Sequence, residues 1–143
     1  MKRQQFFVLV LAMVIPFLTI AQDGKKVNPK LKTKYSQEYL DKMLADNPDR
    51  MEFLNFYTDN TCYIVDMPSK PIDFIELEKL NSEPGMEKNI EAKDLVNFNM
   101  YNFNIVPSLK DTKYYKAGNT GKLIIVRPEN DVNRMYENSK RTK

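Results

Sequence analysis

The chain has 143 residues, 22 basic and 19 acidic side chains, a formal charge of +3, one cysteine and no histidine. Without histidine it lacks the commonest general base and metal ligand, and with it serine–histidine and cysteine–histidine nucleophilic sites. One cysteine also excludes the usual structural zinc ligand sets, and the four glycines (Gly24, Gly85, Gly118, Gly121) never fall in a phosphate-loop pattern.

Lys2 and Arg3 precede an apolar run from Phe6 to Ile20, which is broken only by Pro16 and Thr19, and Thr19-Ile20-Ala21 supplies small residues for cleavage. This is the layout of a secretory signal peptide over residues 1–21, shorter than the ~20 apolar residues a spanning helix needs. The Ala21-Gln22 junction points to export in a diderm bacterium, to the periplasm or the periplasmic face of the outer membrane. No cysteine stands at the junction to carry a lipid, and no transmembrane segment is expected after cleavage. Removing Lys2 and Arg3 leaves 20 basic against 19 acidic residues, a formal charge of +1. So small an excess does not make a nucleic-acid footprint. The remaining chain is long enough for one core, and a lone cysteine cannot staple it.

Residues 22–35 carry Lys25, Lys26, Lys30, Lys32 and Lys34 against Asp23, with few apolar side chains. They read as a basic flexible arm that attracts an acidic partner or simply stays solvated. Ser36 reads as the cap of a helix with Tyr39, Leu40, Met43 and Leu44 on one face. Asn47-Pro48 then starts a second helix, with Met51, Leu54 and Thr58 in a stripe widened by Phe53, Phe56 and Tyr57. Its aromatic face lacks the basic and amide side chains of a DNA-reading helix. Thr61 to Val65 reads as a buried strand in which Cys62 acts as a small hydrophobe. Asp59 to Thr61 lacks the rest of a calcium loop.

Pro68 and Pro71 break regular structure, and Ile72 to Leu80 fits helix and strand almost equally. Ser82 to Gly85 reads as a turn and Met86 to Lys93 as a surface loop. Leu95 to Val106 (LVNFNMYNFNIV) has the clearest period-two alternation, slipping by one residue between Met100 and Tyr101. A β-bulge would absorb the slip, so the pattern predicts one long bent strand, with Asn97, Asn99, Asn102 and Asn104 on its wet face. Lys113 to Ala117 and Lys122 to Arg127 read as a hairpin joined through Gly118-Asn119-Thr120-Gly121. Leu123 to Val126 is apolar throughout, as in a strand buried on both faces. Asn130 reads as the cap of a last helix carrying Val132, Met135 and Tyr136, followed by a basic, frayed tail over 139–143.

The expected fold is α+β, with two N-terminal helices packed on a mostly antiparallel sheet of about four strands and a short C-terminal helix. Residues 36–138 form its single domain. The expected function is that of an exported, non-enzymatic interaction protein of the cell envelope, such as an accessory or plug-like subunit of an outer-membrane assembly or secretion complex. No cofactor is expected. A protein partner would dock on Tyr101, Asn102, Asn104, Tyr114 and Tyr115, steered by Lys25, Lys26, Lys30, Lys32 and Lys34. The alternative is a small carboxylate-based hydrolase, or a glycan- or peptide-binding module, using Asp66, Asp73, Glu76 and Glu78 or the asparagine face.

Overall fold

The computed structural model describes residues 26–73, 75–76 and 90–142. The signal segment, Lys25, Glu78 and the turn at Ser82 to Gly85 lie outside the described residues. Ser36 caps α1 (Gln37–Asp46), its hydroxyl accepting from the Tyr39 amide at 3.3 Å. Asn47 closes α1 and opens α2 (Pro48–Asn60), donating its amide to the Met43 carbonyl and accepting from the Arg50 amide. Proline suits the first helical position because its missing N–H would have had no intrahelical acceptor. The chain turns at Thr61 into β1 (Cys62–Asp66). Much later, β3 (Lys113–Lys116) and β4 (Lys122–Val126) form a hairpin. Gly118 and Gly121 hold φ of 48° and 70° in its turn, a region that β-carbons disfavour.

The sheet order is β1-β4-β3-β2, where β2 is the two-residue segment Ile75–Glu76. β1, β4 and β3 are antiparallel, and β2 adds a short parallel rung on β3. The fold is thus mixed helix and sheet, with three antiparallel strands as its body. Ile124 and Val126 of β4 point into one core with Tyr115, Met100, Phe103 and Ile105, and Cys62 and Ile64 pack on its margin. A second core joins Leu31, Leu40, Met43 and Met51, and Tyr101 touches both. α4 (Glu129–Arg141) lies on α2, with the Tyr136 ring 5.1 Å from Phe53 and 5.3 Å from Phe56.

Three expectations are corrected. Leu95 to Val106 is not a bulged strand: α3 (Ala92–Val96) ends there and a 3-10 turn spans Met100–Phe103. The asparagines are its punctuation. Asn97 follows α3, the Asn99 side chain accepts from the Tyr101 amide, and Asn104 closes the 3-10 turn at φ 50°. Asparagine competes for backbone hydrogen bonds and tolerates the left-handed region, so it favours such ends over strand interiors.

The basic arm is not free over its described part. Pro29–Thr33 forms a 3-10 turn that buries Leu31 completely. Burying a leucine side chain contributes roughly 1.5–3 kcal/mol, and two amides tie the segment down. Asn55 accepts from the Asn28 amide and donates to the Lys26 carbonyl, while Asn99 donates to the Lys30 carbonyl and the Thr33 hydroxyl. The tail is likewise not loose at its start. α4 continues to Arg141, and Lys140 pairs with Glu52 of α2. The helix itself begins at Glu129, one residue before the expected cap at Asn130.

Candidate functional site

The expected docking residues do not share a surface. Tyr114 and Tyr115 are adjacent in β3 and point to opposite faces, and Tyr115 is only 4% exposed, in the core. Tyr101 is half-buried between the two cores and shares a 3.2 Å hydrogen bond with Thr58. Asn102 and Asn104 are exposed around the 3-10 turn. The lysines disperse as well. Lys26 and Lys32 are exposed, Lys34 sits 5.4 and 5.3 Å from the Tyr35 and Tyr101 rings, and Lys30 pairs with Asp59 at 3.4 Å. Of the candidate carboxylates, Asp66 pairs with Lys122 and Asp73 is exposed, while the Glu76 side chain and Glu78 lie outside the described residues. Among the described residues no cluster of three metal-ligating side chains occurs.

The structure instead draws attention to the outer edge of β1. Its partner rungs fix which backbone groups are used. The Arg127 amide donates to the Thr61 carbonyl at 2.8 Å, and the Met67 amide to the Gly121 carbonyl at 2.9 Å. In an antiparallel ladder such hydrogen-bonded positions alternate, so Tyr63 and Val65 turn their backbone groups toward β4. Cys62, Ile64 and Asp66 therefore turn their N–H and C=O groups outward. Among the described residues no strand pairs with that side.

Beside this edge runs a groove of about 210 Å³. Cys62, Tyr63 and Ile64 line one side, and Leu95, Val96 and Phe98 the other. Leu95 and Phe98 pack in the same core as Cys62 and Ile64, so the 95–98 segment lies beneath the sheet rather than in its plane. It forms a ledge whose rim, Val96, is 80% exposed. Lys30 and Asp59 close one end of the groove.

The groove is not built for nucleophilic chemistry. Burial pushes the Cys62 thiol up to about 12, and the nearby Lys30 and Arg127 cations only partly offset this. The thiol stays protonated near neutral pH and lies 3.9 Å from the Met100 thioether. On the opposite face, the Arg127 guanidinium sits 4.1 Å from the centre of the Tyr63 ring. What the arrangement offers is backbone donors and acceptors in a row, an apolar ledge below them and a charged pair at one end. The reading of Thr61 to Val65 as a buried strand missed this edge. The available signal was its brevity and the Asp66 and Pro68 that follow it, which are typical guards of an edge strand.

Comparison with known protein families, with curated proteins and with solved structures returned no match to this chain.

Proposed function

We propose that this chain is an exported, non-enzymatic interaction protein of the bacterial cell envelope, an accessory subunit of an outer-membrane assembly or secretion complex. It holds an extended segment of a partner protein along the outer edge of β1. The observation that carries this reading is the row of outward backbone groups at Cys62, Ile64 and Asp66 above the Val96 ledge. Strand addition takes its affinity from main-chain hydrogen bonds and its specificity from pockets for alternate side chains. The groove has room for one or two apolar side chains, and the Lys30–Asp59 pair supplies a polar end. The absence of histidine and the protonated thiol agree with a binding role.

The test is a photo-crosslinking residue in place of Val96, used in envelope preparations. A specific foreign adduct is expected with the otherwise native chain and should be lost when Asp66→Pro is added. That proline removes an outward N–H and leaves the β4 ladder intact. An adduct that survives Asp66→Pro undiminished, or no foreign adduct at all, would remove the edge as the site for a foreign partner.

A further inference from the structure

The geometry points to a second copy of this chain as an occupant of the β1 edge, paired antiparallel about a two-fold axis through Ile64. This inference rests on the edge reading above and names a partner for it. Three registers can be compared by what they place opposite the outward residues. Centring the pair on Val65 would set Pro68 opposite Cys62, where a donor is missing. Centring it on Tyr63 would set Asn60, the last residue of α2, opposite Asp66. Centring it on Ile64 pairs Cys62 with the other copy's position 66 and keeps every outward group inside the strand.

That register also matches the charges. Asp66 and Lys122 form an ion pair at one end of the edge, and Lys30 and Asp59 form another at the opposite end. Cys62 and Asp66 share a face of β1, and the Lys30 cation acts on Cys62. The two-fold therefore brings Lys122–Asp66 of one copy end to end with Lys30–Asp59 of the other. The signs alternate along all four groups, and this happens twice. At the centre each Ile64 meets its counterpart above the Val96 ledges, which covers the most exposed large apolar side chain of the described residues. An interface built on five strand residues falls short of the ~1,200 Å² typical of stable complexes, so the pair should dissociate readily on dilution.

The sole cysteine makes the register measurable on purified protein. In this arrangement Cys62 of the two copies lie four strand residues apart, roughly 13 Å along the strands, too far for a disulfide. The thiol introduced by Asp66→Cys would lie opposite Cys62 of the other copy, with Cα atoms about 5.5 Å apart, within disulfide range. Under mild oxidation Asp66→Cys should yield a covalent dimer, and both the native chain and Asp66→Cys with Cys62→Ala should not. In sedimentation, the native chain should gain mass with concentration. Asp66→Lys, which sets a cation beside Lys30, should weaken that association at least tenfold without changing the circular dichroism spectrum. No dimer from folded Asp66→Cys at a pH where its Cys62 is alkylated by iodoacetamide, or equal dimer in the Cys62→Ala background, would overturn this register. A native chain that stays monomeric would overturn self-pairing, and foreign adducts at position 96 would then leave the edge reading standing. Loss of both would remove the edge altogether.

Discussion

Cys62 carries an ionisation that folding suppresses. Its ordinary value is 9.0 and burial raises it to about 12. As pH climbs past 9, the unfolded thiol releases its proton while the native one keeps it, so stability falls with a slope approaching 1.4 kcal/mol per pH unit. Burial also raises Tyr101 and Tyr115, which extends the loss to higher pH. Urea midpoints measured at pH 8 and pH 10 should therefore decline. In Cys62→Ala the decline between those pH values should shrink by about 1 kcal/mol. An identical decline in both proteins would mean that the thiol is not held in its neutral form. Alkylation by iodoacetamide at pH 8 should likewise be much slower in the native protein than in urea, because the thiolate is the reactive species.

At the scale of elements, the N-terminal segment from Lys26 to Tyr35 behaves as a strap. Leu31 plugs the helical core, and Asn55 and Asn99 stitch its backbone to α2 and to the 3-10 turn. Leu31→Ala should cost about 2–5 kcal/mol through lost burial and a residual cavity. Asn99→Ala strands the Lys30 carbonyl, the Thr33 hydroxyl and the Tyr101 amide, and should cost about 1–3 kcal/mol. Trypsin should then cut after Lys32 and Lys34 faster in both variants than in the native chain. Unchanged cutting would mean that the strap is held by something else. The asparagines also explain what the sequence hid. Alternation from Val96 to Ile105 mimics a strand because the end of α3 and the two ends of one 3-10 turn each carry an asparagine, and these fall between apolar residues at near-even spacing. The depletion of asparagine in strands was the contrary signal, and it outweighs the periodicity here.

For the whole molecule, the parts legible from sequence are those whose determinants are local. Ser36, Asn47-Pro48 and the paired glycines of the hairpin each act within a few residues, and all three sit where local chemistry places them. Leu123 to Val126 is buried along its length, as an unbroken apolar run in an interior strand should be. The strand order was not legible, because β1 pairs with β4 some sixty residues later and nothing in either segment names the other. The candidate edge follows from that order, so it was hidden with it. The proposed export is tested on the whole chain as well. The mature protein should begin at Gln22 and fractionate with periplasmic or loosely bound envelope proteins. Mass spectrometry that finds Met1 to Ala21 intact on protein in the inner membrane would contradict this.

The strap has a consequence in time. A chain emerges N-terminus first, whether from a ribosome or a translocation pore, so Leu31 and its flanking lysines appear early. One of their clasps, Asn99, arrives 66 and 69 residues after the groups it holds. β4, the partner of β1, follows later still. The seat of Leu31 in the helical core is complete once α1 and α2 are out, but its Asn99 clasp comes much later, and β1 has both edges bare until the hairpin is out. Closing loops of that length costs entropy before any contact returns it, which slows folding relative to a chain with local contacts.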